Sequence, residues 1–330
     1  MIQSWNDIKD EGWKNLLLGN GFSTNIWDKY SYSSLYEYSK VNLIEPILTK
    51  EIISIFDKLN TINFEEVLKA LAYTLLVKES IGEDVEKCLD LYKTVQDNLF
   101  NTVHAVHIDY SDVKKEEIAN EIKKFEKIYT TCYDLILYWA SYNSLSPRRI
   151  TDFFWNDSMF DRGNTNVYGK KIEFHYLHGA LHLQQDLKGY TSKIKHTSSS
   201  LQLNQEFKYN GSDTKVPLYI SEGNSDYKLK KILSNHYLTF CYQNFSKMNG
   251  SLVIVGHSLN KDYDDHLVKA IQNNLNLTKV GVSIYSLQSA SDKQQEIANL
   301  KAKLNRRGLE LVFFESNSYP LINEDVKPQV

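Results

Sequence analysis

Short apolar runs alternate with longer segments of helical spacing through the second half of the chain. A short run predicts a buried strand, and apolar residues at every third or fourth position predict a helix. The predicted strands are 16–18, 128–131, 172–177, 251–255, 279–285 and 309–315. The predicted helices among them are 135–141, 226–248, a helix that opens at Asp264, and 292–307. The alternation predicts an α/β fold with a mainly parallel sheet and helices on both of its faces.

Helical spacing also dominates residues 51–125, where Phe64, Val67, Leu68 and Leu71 form one apolar face. This segment falls between the first and second predicted strands. We therefore expect a helical insertion at about 51–125 within a single domain that spans 1–330. At 42% hydrophobic residues, a chain of this length can bury one large core.

The composition excludes several classes of protein. A net charge of −3 and a pI near 6.3 argue against a nucleic-acid partner. Residues 1–14 are polar and lack the apolar core of a signal peptide, and no apolar run of roughly 18 residues occurs, so we expect no membrane partner. Cys88, Cys132 and Cys241 are too scattered for a disulfide framework or a zinc knuckle. We expect a cytoplasmic protein.

The chain is organised around the first predicted strand and the turn Gly19-Asn20-Gly21 that ends it. Glycines allow a backbone to approach a ligand closely, and Ser23 or Thr24 can cap a helix whose first N–H groups attract an anion. A phosphate is the natural ligand of such a turn. The same three residues also suit any tight turn between a strand and a helix.

Chemically active side chains follow two later strands, at the sheet edge where ligands of α/β proteins bind. His178 ends the third predicted strand, and it is either a general base or a histidine satisfied by a backbone carbonyl. After the second strand, Asp134 either orients a sugar hydroxyl or caps the next helix. Cys132 is either a nucleophile or a small buried hydrophobe, and the latter is favoured because no histidine is near it in sequence.

The three histidines His175, His178 and His182 suggest a metal site by their short spacing. However, side chains of a strand alternate between its two faces, so His175 and His178 point in opposite directions. We therefore expect no metal site.

Four turns, in this order along the chain, resemble those of the bacterial sirtuin-like family. They read L-L-G-N-G-F-S at 17–23, T-T-C-Y-D at 130–134, L-H-G at 177–179, and V-G-H-S-L at 255–259 with Asp264 and His266 beyond. The sequence N-F-E at 63–65 also matches a segment common in those proteins. The sequence P-L-Y-I-S-E-G at 217–223 and the helix at 228–242 look like an uncharacterised branch found among antiphage defence genes.

The resemblance implies a Rossmann-like, sirtuin-like fold that binds NAD and hydrolyses it to nicotinamide and ADP-ribose. NAD is then a substrate, and no cofactor is expected. The residues implied in binding are Gly19, Asn20, Gly21, Phe22 and Ser23 at the diphosphate, Gly256 and Ser258 at the adenosine, and Thr131. The residues implied in catalysis are His178, Cys132 and Asp134.

One position departs from the family, because Cys132 stands where an asparagine usually positions the ribose and the water. A thiol is a poor hydrogen-bond partner. Either Asn20, Asn25 or Asp134 replaces that function, or activity is low, or the chain binds a nucleotide without turning it over. Protein deacetylation is not expected, because deacetylases of this family carry a four-cysteine zinc module.

Two main hypotheses follow. In the first, the chain is the NAD-hydrolysing effector of a defence system. A separate sensor or nucleotide-processing protein triggers it, and the enzyme is silent alone or as a homo-oligomer. We expect a homo- or hetero-oligomer. In the second, it is a module that senses NAD, ADP-ribose or a related nucleotide. A different nucleotide-dependent hydrolase is a third reading.

Overall fold

The computed structural model describes residues 2–31, 34–144, 150–155, 157–164, 172–194, 209–220 and 223–328. Residues 221 and 222 of the motif at 217–223 therefore lie outside the described residues. The strands, in chain order, are β1 (Asn15–Leu18), β2 (Lys127–Thr130), β3 (Ile150–Thr151), β4 (Ile172–Tyr176), β5 (Gly179–Asp186), β6 (Thr191–Lys193), β7 (Lys215–Tyr219), β8 (Gly250–Val255), β9 (Leu277–Ile284) and β10 (Glu310–Glu315).

The main sheet of the described residues has the strand order β10-β9-β8-β1-β2-β4-β3, and all of its pairs are parallel. Its central strand, β1, lies between β2 and β8 and is buried along its whole length. An apolar strand such as Leu16–Leu18 suits this position because both faces of a parallel sheet are covered. The predicted α/β class is confirmed.

Helices cover both faces of the sheet. They are α1 (Trp5–Ile8), α2 (Asn20–Ile26), α3 (Leu35–Val41), α4 (Lys50–Leu59), α5 (Phe64–Ile81), α6 (Glu86–Val106), α7 (Lys115–Ile122), α8 (Ile136–Ser144), α9 (Ser225–Leu233), α10 (His236–Ser246), α11 (Lys261–Asn273) and α12 (Ala290–Leu304). Helices α4 to α7 occupy the segment predicted as a helical insertion, between β1 and β2. That they form an insertion within a single domain stays a prediction. No helix among the described residues is both long and apolar enough to cross a membrane.

One predicted helix is two helices in the structure. The continuous helix expected over 226–248 is broken between α9 and α10. The side chain of Asn235 accepts a hydrogen bond from the backbone N–H of Leu238, 3.0 Å away, and so caps the start of α10. Asparagine competes with the helix for backbone donors in this way, and the apolar spacing on both sides of it conceals the break.

A small antiparallel sheet, in the order β6-β5-β7, was not predicted. The chain enters it directly from β4 through Leu177, His178 and Gly179. Gly179 has φ +74°, and a Cβ there would lie 2.2 Å from the carbonyl oxygen of Leu218 on β7. Only glycine fits this close approach between strands. The turn therefore holds His178 at the junction of the two sheets.

Candidate active site

A cavity of about 400 Å³ opens at the carboxyl ends of β1, β2, β4 and β8. Its size falls within the range of about 300–1,000 Å³ that is usual for small-molecule sites. The residues that line it are Asn20, Gly21, Tyr30, Thr131, Cys132, Tyr133, His178, Ile220, Lys228, Gly256, His257, Ser258 and Asp264. The four turns singled out in the sequence thus meet around one space, although Gly19, Phe22, Ser23 and Asp134 are not among its lining residues.

The turns after β1 and β8 pack directly against each other. A Cβ on Gly19 would lie 2.5 Å from the Cβ of His257, and one on Gly21 would lie 2.8 Å from the Cα of Gly256. The N–H of Gly21 donates to the Gly256 carbonyl at 2.8 Å, and that of Gly19 donates to the Val255 carbonyl. The glycines therefore bring two segments of backbone together. Their N–H groups are already engaged within the protein.

Helix α2 begins earlier than predicted. Its N-cap residue is Gly19, which has no side-chain cap, so neither Ser23 nor Thr24 caps it. Ser23 lies inside the helix, and its hydroxyl donates to Asp134 Oδ2 at 2.5 Å. The other Asp134 oxygen accepts from the N–H of Ile136 at the start of α8. Of the two readings of Asp134, the helix cap is the one with contacts in the structure.

Cys132 lines the cavity as a buried thiol. Burial, with the nearby charge of Asp134, raises its pKa to about 12, so it carries no thiolate at neutral pH. Its Sγ lies 3.9 Å from the Leu18 carbonyl oxygen. Thr130 fixes the turn, because its hydroxyl accepts the backbone N–H of Cys132 at 3.0 Å. These properties suit a small hydrophobe rather than a nucleophile.

His178 is buried and pairs with a second histidine. Its Nε2 lies 3.2 Å from Nε2 of His266 on α11. On its other side, His266 Nδ1 lies 3.0 Å from the hydroxyl of Ser225, which also accepts the backbone N–H of His266. Burial lowers the pKa of His178 well below its usual value and that of His266 to about 4. Both rings are therefore neutral at physiological pH, and the proton between them belongs to one ring or the other.

An ion pair adjoins the two histidines. Lys228 Nζ lies 3.1 Å from Asp264 Oδ1, and both side chains are nearly buried at the cavity wall. Nε2 of His257 lies 3.9 Å from the other Asp264 oxygen. Asp264 has non-helical dihedral angles, and two helical pieces join there at a kink within α11. The second piece begins at Asp264, as the sequence predicts, and a short helical segment from Lys261 precedes it. The residue at this kink is therefore the one that pairs with Lys228.

Neither Lys228 nor His266 was predicted as a site residue. Both fall within segments that were quoted as family-like, but a lysine in a charged amphipathic helix reads as a solvent-facing residue. In the structure α9 packs against α11, and Lys228 is buried. The other two histidines of the short cluster lie elsewhere: His175 contacts Glu173 at 3.2 Å, and His182 stacks on Tyr138. A different group, His178, Asp264 and His266, has its potential ligand atoms within 4.8 Å of one another.

The fold and site define an α/β protein with a polar cavity at the carboxyl edge of a parallel sheet. The chain belongs to the family described as Domain of unknown function (DUF4917), whose profile matches residues 16–321. No curated protein matches the sequence. Among solved structures, it is similar to two mutants of a Sir2 homologue, each in complex with ADP ribose. Each alignment has 9% identity and a TM-score of 0.35, and covers 89% of this chain and 94% of the other.

Proposed function

We propose that this protein is an NAD+ glycohydrolase that releases nicotinamide and leaves ADP-ribose, with NAD as substrate and no resident organic cofactor. One observation carries the proposal: the turns after β1, β2, β4 and β8 surround a single cavity that contains a buried, neutral histidine. A neutral imidazole is the form that accepts a proton. The order of these turns along the chain supports NAD as the ligand.

We place the diphosphate of NAD between the glycine turn and Lys228. The N–H groups of Gly19 and Gly21 are engaged within the protein, so the turn supplies shape more than donors. The Lys228 ammonium at the cavity wall supplies the positive charge that a diphosphate requires. Gly256 and Ser258 then border the adenosine side, and Thr131 and Cys132 border the ribose that carries nicotinamide.

His178 acts as the general base on a ribose hydroxyl or on the attacking water. Cleavage of the bond between nicotinamide and ribose develops positive charge on the ribose, and removal of a proton nearby stabilises that charge. The histidine pair can support this role in one tautomer, with His178 Nε2–H donating to His266 and His266 Nδ1–H donating to Ser225. His178 Nδ1 then retains the lone pair that accepts the proton.

Asn20 takes the place of the family's asparagine in this proposal. Of the three residues that were considered as substitutes, Asn20 lines the cavity, and its Nδ2 also donates to the Tyr30 carbonyl at 3.4 Å. Asn25 donates to the backbone of Asn323, and the two carboxylate oxygens of Asp134 are engaged with Ser23 and Ile136. An amide can both donate to and accept from a ribose hydroxyl, which the Cys132 thiol does poorly.

The alternative function is a sensor that binds NAD, ADP-ribose or a related nucleotide without cleaving it. The protonated, buried thiol of Cys132 at the position of the usual asparagine favours this candidate. The two candidates differ in turnover alone, because both need the same cavity.

We further propose that hydrolysis serves as the effector step of an antiphage defence system. A separate sensor or nucleotide-processing protein would trigger it, and the chain would be silent alone or as a homo-oligomer. The active assembly would be a homo- or hetero-oligomer. Full, unregulated activity of the lone purified chain would contradict this part of the proposal while leaving the hydrolase intact.

The test is nicotinamide release from NAD by the purified chain, alone and mixed with the product of its neighbouring gene. We expect His178→Ala to lower the rate by about 10²- to 10⁴-fold, the usual worth of a positioned base. His236→Ala, at an exposed histidine of α10, is the matched control and should retain the wild-type rate. No release in either mixture, with NAD binding still measured by calorimetry, would favour the sensor.

A further inference from the structure

The two imidazoles at the cavity wall face each other through the same ring atom. His178 Nε2 and His266 Nε2 are 3.2 Å apart, and an oxygen of Asp264 completes a group whose ligand atoms all lie within 4.8 Å. All three residues are buried. We propose that this group is a binding site for a divalent transition-metal ion of the Zn²⁺ class, with two imidazole ligands and one carboxylate ligand.

The distance between the two imidazole nitrogens fits such an ion. Two Zn–N bonds of about 2.0–2.1 Å at a tetrahedral angle place their nitrogens roughly 3.3–3.4 Å apart. The observed Nε2 to Nε2 distance is close to this value, so the rings need little movement. The ion would replace the single proton that the two nitrogens now share. Because His178 and Asp264 line the cavity, a fourth coordination position would face it.

The surroundings of His266 match those of a metal-ligating histidine. When Nε2 binds a metal, Nδ1 carries the proton and needs an acceptor that fixes the ring. The Ser225 hydroxyl lies 3.0 Å from this Nδ1 and is itself held by the backbone N–H of His266. The ring orientation is therefore set before any ion arrives, which lowers the cost of ordering the site.

Lys228 is the competitor of the metal ion. Its ammonium lies 3.1 Å from Asp264 Oδ1 and neutralises the carboxylate that the ion requires. Binding must displace this contact or share the carboxylate with a second positive charge. If the metal ion binds here, removal of the Lys228 ammonium should increase the affinity of the site for the ion.

Occupation of the site and general-base catalysis exclude each other, because the metal would fix His178 and hold a positive charge beside the reacting ribose. Metal binding would then inhibit the proposed NAD hydrolysis. This consequence rests on the proposed function, whereas the binding itself does not.

The experiment titrates the metal-free protein with Co²⁺, whose visible absorption reports tetrahedral coordination by nitrogen and oxygen. We expect one equivalent to bind, and Zn²⁺ to displace it. His266→Gln should abolish the signal, while His236→Gln, at an exposed histidine, should leave it unchanged. Lys228→Met should tighten binding by about tenfold or more, since a unit charge a few ångströms away is removed. Circular dichroism verifies that each variant is folded.

Absence of cobalt absorption in the folded wild-type protein would overturn the proposal, and so would a signal that persists in His266→Gln. Weaker binding by folded Lys228→Met would also contradict it, because the ion pair would then be a support rather than a competitor. The readout is separate from turnover. A protein that binds Co²⁺ but releases no nicotinamide when metal-free would retain the metal site and lose the proposed function.

Discussion

The two sides of the cavity are built differently. On one side, which we call the turn side, the backbone of Gly19–Gly21 packs against Gly256 with its N–H groups donating to carbonyls of the neighbouring turn. On the other side, the cluster side, His178, His266, Lys228 and Asp264 contact one another through side chains alone. Backbone contacts determine the shape of the first side. Side-chain charges and protons determine the state of the second.

This difference separates stability from chemistry. The two turns are so close that no Cβ fits between them, and their backbone groups hydrogen-bond to each other. Such a contact permits a single packing arrangement of the two backbones. An imidazole pair beside an ion pair has several arrangements, because a proton, an ammonium or a metal ion can occupy the same space. We therefore expect substitutions on the turn side to act mainly on the free energy of unfolding, and substitutions on the cluster side to act on ligand binding as well as on stability.

The largest effect is expected for Gly256→Ala. Gly256 has φ +64°, and a Cβ there would lie 2.6 Å from the backbone nitrogen of Phe22. The new methyl group meets backbone that cannot move away, and the left-handed conformation adds strain. We expect the free energy of unfolding to fall by about 4 kcal/mol or more, measured by urea denaturation.

Gly82→Ala is the matched control for this substitution. Gly82 also has a left-handed conformation, with φ +73°, but no atom lies within 4 Å of the Cβ position. Strain alone remains there, so the expected loss is about 1 kcal/mol. Equal losses in the two variants would show that the close contact between the turns contributes nothing beyond the dihedral angle.

The second largest effect on stability is expected for Lys228→Met on the cluster side. This change leaves the carboxylate of Asp264 nearly buried without its ammonium partner, and loss of one partner of such a pair costs about 3 kcal/mol. Because Lys228 lines the cavity, we also expect weaker NAD binding by calorimetry.

Adding Asp264→Leu to Lys228→Met should recover most of the lost stability, because the unpaired charge is removed as well. NAD binding should not recover. If the double variant were as unstable as the single one, the ion pair would be needed for packing, and the contrast between the two sides of the cavity would fail.

Local signals in the sequence predicted the turn side. An apolar run followed at once by glycine marks the end of a buried strand, and this pattern occurs at Leu18 and at Val255. The carboxyl ends of parallel strands lie along one edge of the sheet, so the sequence predicted these turns and His178 at the same edge. The sequence predicted that the glycines let the backbone approach a ligand. In the structure they instead let the two turns pack against each other.

The cluster side could not be predicted in the same way. Lys228 and Asp264 are 36 positions apart, and each lies in a helix that is mostly polar. The spacing within each helix gives no sign that one charged residue is buried. The two charges meet because α9 packs against α11, a contact between elements that the spacing within either helix does not reveal.

The smallest of the three effects on stability is expected for a change at Glu173, the partner of His175. His175 lies three residues before His178 but is not among the residues that line the cavity. It stacks on Tyr129, and its Nε2 contacts Glu173. Burial alone would raise the pKa of Glu173, but His175 and Lys127 lower it from its usual 4.5 to about 2. A carboxyl group whose pKa is lower in the folded than in the unfolded protein stabilises the fold at pH values above its unfolded pKa. This stabilisation is lost as the pH falls toward its folded pKa.

We therefore expect Glu173→Gln to lower the free energy of unfolding by about 2 kcal/mol at pH 7, a figure reduced from the full pKa shift because the side chain is partly exposed to solvent. The difference between variant and wild type should shrink as the pH falls from about 4.5 to about 2, measured by urea denaturation at several pH values. Nicotinamide release should be unchanged. A difference that does not vary with pH would show that Glu173 stabilises the fold through packing rather than through its charge. A loss of nicotinamide release would show that a charge change on β4 affects His178, so that the cluster side would include residues beyond the cavity wall.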